Sequence, residues 1–295
     1  MKLTIITATY NVIQRGGEDA LVRCVQSVAS LAIAHEHIVL DGNSTDGTVE
    51  KLQALSSSVA AFTFKSAPDR GIYDALNQGL FAASGEYVYF LGADDYVCAP
   101  EVLGEYVERA SKENAEVLVA PTLFSNGRIF PKNGGGFYEM ASYMAYSHQG
   151  CIARTETLRS HGGFDINCRY MADYKLMLSV HLAGAKTIVG KKPFAMYDVN
   201  GVSSKPSSER EEEDDRIKES VYSLSEMELE DYKASSRLPF RVCRRLLSSK
   251  SAFTRAMGWR LLFSYGYRKH KTDRVSMRYL FGFKVFSHPI KSLRG

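Results

Sequence analysis

The stretch Gly85-Glu86-Tyr87-Val88-Tyr89-Phe90-Leu91-Gly92-Ala93-Asp94-Asp95 runs aromatic and β-branched residues into a small-residue turn that ends on two adjacent carboxylates. Tyr87 to Leu91 reads as a strand. Earlier runs at Leu3 to Ile6, His37 to Leu40 and Phe62 to Lys65 have the same character. Between them Val22, Val25, Val28 and Leu31 recur at helical spacing, as do Val49 with Leu52, and Ile72 with Leu76 and Leu80. The order is strand, helix, strand, helix, strand, helix, strand. That order predicts an α/β fold with a mostly parallel, Rossmann-like sheet flanked by helices. Ligands then bind beyond the carboxyl ends of the strands, where the loops diverge.

Past Asp95, a helix is expected from Pro100 to about Lys112 and a strand at Val117 to Ala120. Asn133-Gly134-Gly135-Gly136 reads as a mobile loop, and Gly162-Gly163-Phe164-Asp165 as a turn leading to a helix near Asp173 to Ala183. Residues Glu209 to Lys233 form an acidic, helical stretch, and no internal repeat is present. These features divide the chain into a catalytic domain over 1–205, an acidic helical linker over 206–236 and a basic, mainly helical extension over 237–295.

The net charge of +4 conceals an asymmetry. From Arg237 onward there are 15 Lys/Arg against the single acid Asp273, whereas the rest of the chain carries 22 Lys/Arg against 32 acids. A block of like charge faces a surface of opposite sign, either nucleic acid or anionic lipid. This one is interleaved with Phe240, Phe253, Trp259, Phe263 and further aromatics, and Leu246-Leu247 and Leu261-Leu262 suit amphipathic helices. That mixture favours a membrane surface over nucleic acid, the remaining reading being a face packed on the domain or on another subunit. The five cysteines show no CxxC spacing, so neither a disulfide framework nor a zinc knuckle is expected. No apolar run approaches the roughly 20 residues that cross a bilayer. The expected location is cytoplasmic, peripheral at the inner face of the cell membrane.

Two acidic clusters fall where the pattern puts ligand-binding loops: Asp41-Gly42-Asn43-Ser44-Thr45-Asp46-Gly47-Thr48, and Asp94-Asp95. Adjacent carboxylates repel unless a cation or donor compensates, and an oxygen-only set with room for phosphate suits Mg2+ or Mn2+. The Asp41 segment has an equally good structural reading, as a turn and helix cap.

Four motifs in order, Thr7-Ala8-Thr9-Tyr10-Asn11, the Asp41 segment, Asp69-Arg70-Gly71-Ile72-Tyr73-Asp74-Ala75-Leu76-Asn77-Gln78-Gly79 and the Gly85 to Asp95 stretch, resemble the family 2 inverting glycosyltransferases of the GT-A fold, in their bacterial polysaccharide-biosynthesis form. The resemblance spans about residues 1–205. It implies that Thr7, Thr9 and Tyr10 line the nucleobase pocket, with the Tyr10 ring stacked on the base. It makes Asp41 the acceptor for a base N–H, which favours a UDP-sugar donor. It places Asp69 and Arg70 at the nucleotide, Asp94 near the ribose, and Asp95 on an Mn2+ or Mg2+ ion. Asp173 takes the place of the general base, although Ala172 stands where the family often has Glu; the competing role for Asp173 is a helix N-cap. His148 and Gln149 fall in the family's acceptor-side segment as possible substrate contacts, and Asn200 to Ser204 in a loop over the diphosphate. The implied reaction moves a hexosyl or acetamidohexosyl group, with inversion, to a hydroxyl of a glycan or polyprenyl-diphosphate-linked acceptor in cell-surface polysaccharide assembly.

Two other classes compete with that reading. A nucleotidyltransferase would share the sheet and metal-binding acids but should carry a Gly-rich, basic phosphate loop where Thr7 to Asn11 stands. A non-enzymatic membrane- or RNA-binding scaffold would act through the basic tail, with the acidic pairs as turns. A dinucleotide oxidoreductase is disfavoured by the lack of G-x-G-x-x-G after the first strand.

Overall fold

In the computed structural model, residues 2–131, 136–199, 208–235, 238–271, 275–280 and 283–289 are described. Strand β1 (Leu3–Thr9) is followed by α1 (Glu18–Ala29), β2 (His35–Asp41), α2 (Thr48–Ser58), β3 (Phe62–Ser66), α3 (Ile72–Ala82) and β4 (Tyr87–Phe90). The chain continues through β5 (Tyr96–Val97), α4 (Pro100–Lys112), β6 (Val117–Val119), β7 (Thr122–Phe124), β8 (Ile129–Phe130), β9 (Cys151–Arg154), α5 (Thr155–Ser160), α6 (Ala172–Leu182), β10 (Thr187–Val189) and β11 (Ala195–Tyr197). The main sheet has the order β10-β6-β9-β4-β1-β2-β3. All its pairings are parallel except those of β9, which runs antiparallel to both β4 and β6.

The apolar spacing has the expected consequence. Helix α1 buries Leu21, Cys24, Val25 and Val28, and α2 buries Leu52 and Leu55; each aliphatic side chain so removed from water contributes about 1.5–3 kcal/mol. Helix α3 corrects one expectation: Ile72 is 57% exposed, and the sheet is covered by Ala75, Leu76, Gly79 and Leu80 instead. Ile72 is the first residue of the helix, so its side chain projects from the rim. The glycine-rich 133–136 stretch, read as a mobile loop, falls outside the described residues apart from Gly136.

A second sheet, β5-β11-β7-β8, crosses the carboxyl end of the first. Strands β11 and β5 are antiparallel with Met196 opposite Tyr96, and the Asp198 N–H just past β11 reaches Asp95 just before β5. The loop before β9 reaches the same place, because β9 lies beside β4 with Ile152 opposite Tyr89.

The acidic stretch forms α7 (Ser208–Tyr222) and α8 (Glu226–Ser235), and the basic extension begins as α9 (Phe240–Leu247) and α10 (Ala252–Gly266). It continues as three antiparallel strands, β12 (Tyr267–Lys271), β13 (Val275–Leu280) and β14 (Phe283–Pro289). Ile217, Tyr222, Tyr232, Leu246, Phe253 and Met257 belong to the same apolar cluster as Ile6, Val88 and Leu178. Phe253 stacks on the buried His181 ring at 4.6 Å, and Thr254 donates to the His181 carbonyl. Leu246, Phe253 and Leu261, read above as lipid-facing, are therefore packed on protein. Trp259 and Phe240 stay more than half exposed. No helix among the described residues is long and apolar enough to cross a membrane, and all five cysteines are free thiols.

Candidate active site

The sheet register builds the donor side. Thr9 of β1 lies beside Asp41 of β2, and Asp41 beside Ser66 of β3, so three polar side chains meet at adjacent strand ends. Asp41 Oδ1 accepts from Thr9 Oγ1 (3.0 Å) and Ser44 Oγ (2.6 Å), and Oδ2 accepts from the Ser44 N–H (2.9 Å) and Ser66 Oγ (2.7 Å). A carboxylate offers about four acceptor directions, and Asp41 is 2% exposed. Its acceptor directions are taken by internal donors that tie the ends of β1, β2 and β3 together. Asp46 likewise accepts from the Gln14 and Thr48 N–H groups and caps α2. Thr7 is fully buried and pairs with the His37 imidazole (3.0 Å), so it backs the pocket without lining it. Tyr10 is 55% exposed and offers a free ring face.

Asp69 lies over Gly42, the residue next to Asp41 in the chain. A Cβ on Gly42 would lie 2.9 Å from Asp69 Oδ2 and 3.3 Å from the Tyr10 ring, so both side chains close over a residue that has none. The other oxygen, Oδ1, accepts the Gly71 N–H (2.8 Å), where a φ of +114° suits glycine. Arg70 points to solvent and pairs with Asp74 at 2.9 Å.

Asp94 and Asp95 turn back over Gly92, where a Cβ would lie 2.6 Å from Asp95 Oδ2 and 2.9 Å from Asp94 Oδ1. Two carboxylates thus converge on one point. Asp95 is 1% exposed; its Oδ2 accepts from Gln149 Nε2 (2.7 Å) and its Oδ1 from the Asp198 N–H (2.9 Å). Burial and the Asp94 charge push the Asp95 carboxyl up to about 6, against the pull of those two bonds and of His148. Asp94 is raised too, by burial and by the Asp198 charge. Gln149, expected at the substrate, is 3% exposed and spends its amide on Asp95.

His148 stands between the acid pair and Asp173. Its Nδ1 lies 3.4 Å from Asp173 Oδ2, and against partial desolvation the hydrogen bond to Asp173 and the charges of Asp173, Asp95 and Asp94 hold its imidazolium above the ordinary histidine range. In return, burial of Asp173 is outweighed by the hydrogen bond and charge of His148, the Tyr174 N–H and the Arg210 charge, so its carboxyl lies below the usual range. Asp173 is the second residue of α6, and Met171 occupies the N-cap position, which removes the capping role weighed for Asp173.

Three distant residues hold this loop, of which only Glu213 lies outside the quoted motifs. Glu213 of α7 is 3% exposed and accepts the backbone N–H groups of Arg169 (2.7 Å), Tyr170 (3.0 Å) and Met171 (2.6 Å), the residues leading into α6. Asn77 bonds both N–H and C=O of Phe164, each at 2.8 Å, and Tyr73 stacks on the Phe164 ring while its hydroxyl faces Asp173 Oδ1 at 3.4 Å. The third motif of the sequence thus secures the turn before the candidate base. The 200–204 loop expected over the diphosphate lies outside the described residues.

The carboxylates fit a hard divalent cation. Both are oxygen donors, both are desolvated, and their mutual repulsion is what a cation relieves. Among the described residues no three candidate side-chain ligands gather at one point.

A family model described as glycosyl transferase family 2 matches residues 4–171. An uncharacterized glycosyltransferase of Mycobacterium tuberculosis is 26% identical over 219 residues, covering 68% of this chain and 77% of that protein. A PGL/p-HBAD biosynthesis glycosyltransferase of Mycobacterium bovis is 26% identical over 176 residues, covering 58% and 66%. Two solved structures share the fold. S. aureus TarS 1-349 in complex with UDP-GlcNAc has a TM-score of 0.61 at 19% identity, covering 92% of this chain and 95% of that one. The mannosyltransferase PcManGT from Pyrobaculum calidifontis, in complex with GDP-Man and Mn2+, has a TM-score of 0.55 at 16% identity, covering 89% and 87%.

Proposed function

The chain belongs to the family 2 glycosyltransferases, and from that premise we propose that it moves a hexosyl or acetamidohexosyl group from a UDP-sugar to an acceptor hydroxyl, inverting the anomeric carbon. The acceptor is a glycan or a polyprenyl-diphosphate-linked sugar of a bacterial surface polysaccharide. The observation that carries the reading is the placement of His148 between two kinds of carboxylate. On one side the Asp94-Asp95 pair is pushed towards neutrality; on the other Asp173 is held ionised. Carboxylates driven apart in this way divide the work of metal and proton.

Asp173 accepts the proton of the acceptor hydroxyl as the oxygen attacks the anomeric carbon. Tyr73 and the Tyr174 N–H hold its Oδ1 while Oδ2 faces His148. Asp95 is the metal ligand, oriented from behind by Gln149 and the Asp198 N–H, and Asp94 takes the ribose side. Once bound, Mg2+ or Mn2+ supplies positive charge to the departing diphosphate. Tyr10 stacks on the base, and Asp69 accepts the uracil N3–H in place of the spent Asp41. Arg70, displayed at the rim, is available to the diphosphate. Protein stripped with EDTA and assayed for diphosphate release on UDP-, GDP- and dTDP-sugars should be inactive until Mn2+ or Mg2+ is added. Turnover unaffected by chelation would remove the metal role of Asp95.

Attachment to an anionic membrane face from the cytoplasm is part of the same proposal. Its support is the +14 charge of residues 237–295 together with the exposed Trp259 and Phe240. Nucleic acid is the disfavoured partner. Ending the chain at Arg237 would strip α9 and α10 from the core, so the test is a point variant. Trp259→Ala combined with Arg244→Glu and Arg245→Glu should lower sedimentation with phosphatidylglycerol vesicles, and unchanged partitioning would overturn the attachment.

A further inference from the structure

Helix α7 has two working faces. Glu213 points inward to the loop before Asp173, whereas Arg210, Asp214 and Asp215 line a cleft of about 540 Å3. That volume falls within the roughly 300–1,000 Å3 of small-ligand sites. The opposite walls are Tyr143 and Met171, and α8 contributes Tyr232. Met171 is the N-cap of α6, so the cleft opens two residues from the candidate base.

The lining has a particular chemistry. Tyr143 is 46% exposed and presents an aromatic face, the surface on which the C–H face of a pyranose packs. Three carboxylates (Glu211, Asp214, Asp215) stand against two cations (Arg210, Lys233). Asp214 Oδ1 is buried without a hydrogen-bond partner among the described residues, although its other oxygen pairs with Lys218. Lys218 is itself fully buried between the rings of Tyr174 (5.6 Å) and Tyr232 (5.0 Å), which fixes that wall. A wall rich in carboxylates accepts hydroxyl donors and repels phosphate. The ligand it suits is an uncharged, hydroxyl-rich sugar.

We propose that the cleft between α7, α8 and the Tyr143 loop binds the neutral sugar residues of the acceptor, with Tyr143 as stacking platform and Asp215 as hydroxyl acceptor. The inference rests on the reading of Asp173 as the base, since it delivers the acceptor hydroxyl to that carboxylate. Any diphosphate or lipid on the acceptor then lies beyond the cleft.

The test uses the full chain with UDP present. Saturation-transfer NMR is run with methyl glycosides of glucose, galactose, mannose, rhamnose and N-acetylglucosamine, and with maltose, cellobiose and lactose. At least one should receive transfer from the wild-type protein. Tyr143→Ala, which removes an exposed side chain, and Asp215→Asn should each weaken its Kd at least fivefold while the Kd for UDP stays within twofold. Asp214→Asn is avoided because it would strand the buried Lys218. Absence of transfer from every sugar, or wild-type affinity in both variants, overturns the cleft assignment. Loss of UDP binding by the wild type with sugar binding intact would instead sink the donor reading and leave the cleft standing.

Discussion

The donor side and the acceptor side of the site are built by different means. From Leu3 to Asp95, each polar residue of interest sits at or just beyond the carboxyl end of a strand, and its partners are its neighbours in the sheet: Thr9, Asp41 and Ser66 meet because their strands do. Around Asp173 the partners come from Tyr73, 100 residues away, and from Glu213, which holds backbone 42–44 residues behind it. Asp95 joins the two sides through Gln149 and Asp198, 54 and 103 residues distant. A local site is fixed by short motifs. A long-range one depends on how helices pack, and its sequence can change while the geometry is kept.

The comparison is tested most severely at the base. Asp173→Asn should lower kcat by about 10²–10⁴-fold, with the Kd for UDP within twofold of wild type, because the donor side does not share its partners. If UDP binding fell equally, the two sides would be one cooperative unit. Next in size is Glu213→Ala, which leaves three N–H donors without an acceptor, that of Met171 buried and those of Arg169 and Tyr170 partly so. At about 1 kcal/mol or more for each unmade bond, stability should drop by roughly 3 kcal/mol, read as a fall of several degrees in Tm. Well below the melting range kcat should still be depressed, with UDP affinity retained. A variant that melts early yet turns over normally would show that Glu213 supports the fold without positioning Asp173.

On the donor side the expected effect is smaller and concerns selectivity. Asp69→Asn replaces one acceptor oxygen by an N–H2 donor, so UDP affinity should fall by about tenfold, the worth of one charged hydrogen bond. The preference for UDP over CDP should narrow with it. Asp41→Asn should act mainly on Tm, since its four donors are all internal.

This pair marks the limit of what the sequence discloses. The strand and helix order, the turn after β4 and the place of Asp173 were legible because hydrophobic period and turn residues are local signals. The saturation of Asp41 by Ser44 and Ser66 and the closure of Asp69 over Gly42 were not, because only the register reveals them. The second face of α7 was hidden for the same reason. Read along the chain, Glu213 is one acid among many in a helix that is acidic throughout. Only the fold singles it out. The basic extension misled in the opposite sense: the amphipathic pattern of α9 and α10 was real, but its apolar stripe is used on the core at Leu246, Phe253 and Leu261.

The smallest expected effect lies at His148, the residue shared by both sides. Its imidazolium helps hold the Asp173 carboxyl below the ordinary range against the upward push of burial. Removing that charge in His148→Gln should raise the Asp173 pKa, and because the base works ionised, the acid limb of kcat against pH should move to higher pH. Raising the pH above the elevated pKa of His148 in the wild type costs little, since Asp173 is by then fully ionised. The profile must be measured at saturating metal, because the Asp95 carboxyl, pushed up to about 6, takes a proton at higher pH than Asp173 when no cation competes for it. The two origins separate by parameter. A limb set by Asp173 shifts in kcat with donor KM unchanged, whereas one set by Asp95 shifts in the metal concentration needed for half activity. A movement only in the latter would place His148 on the donor side of the boundary.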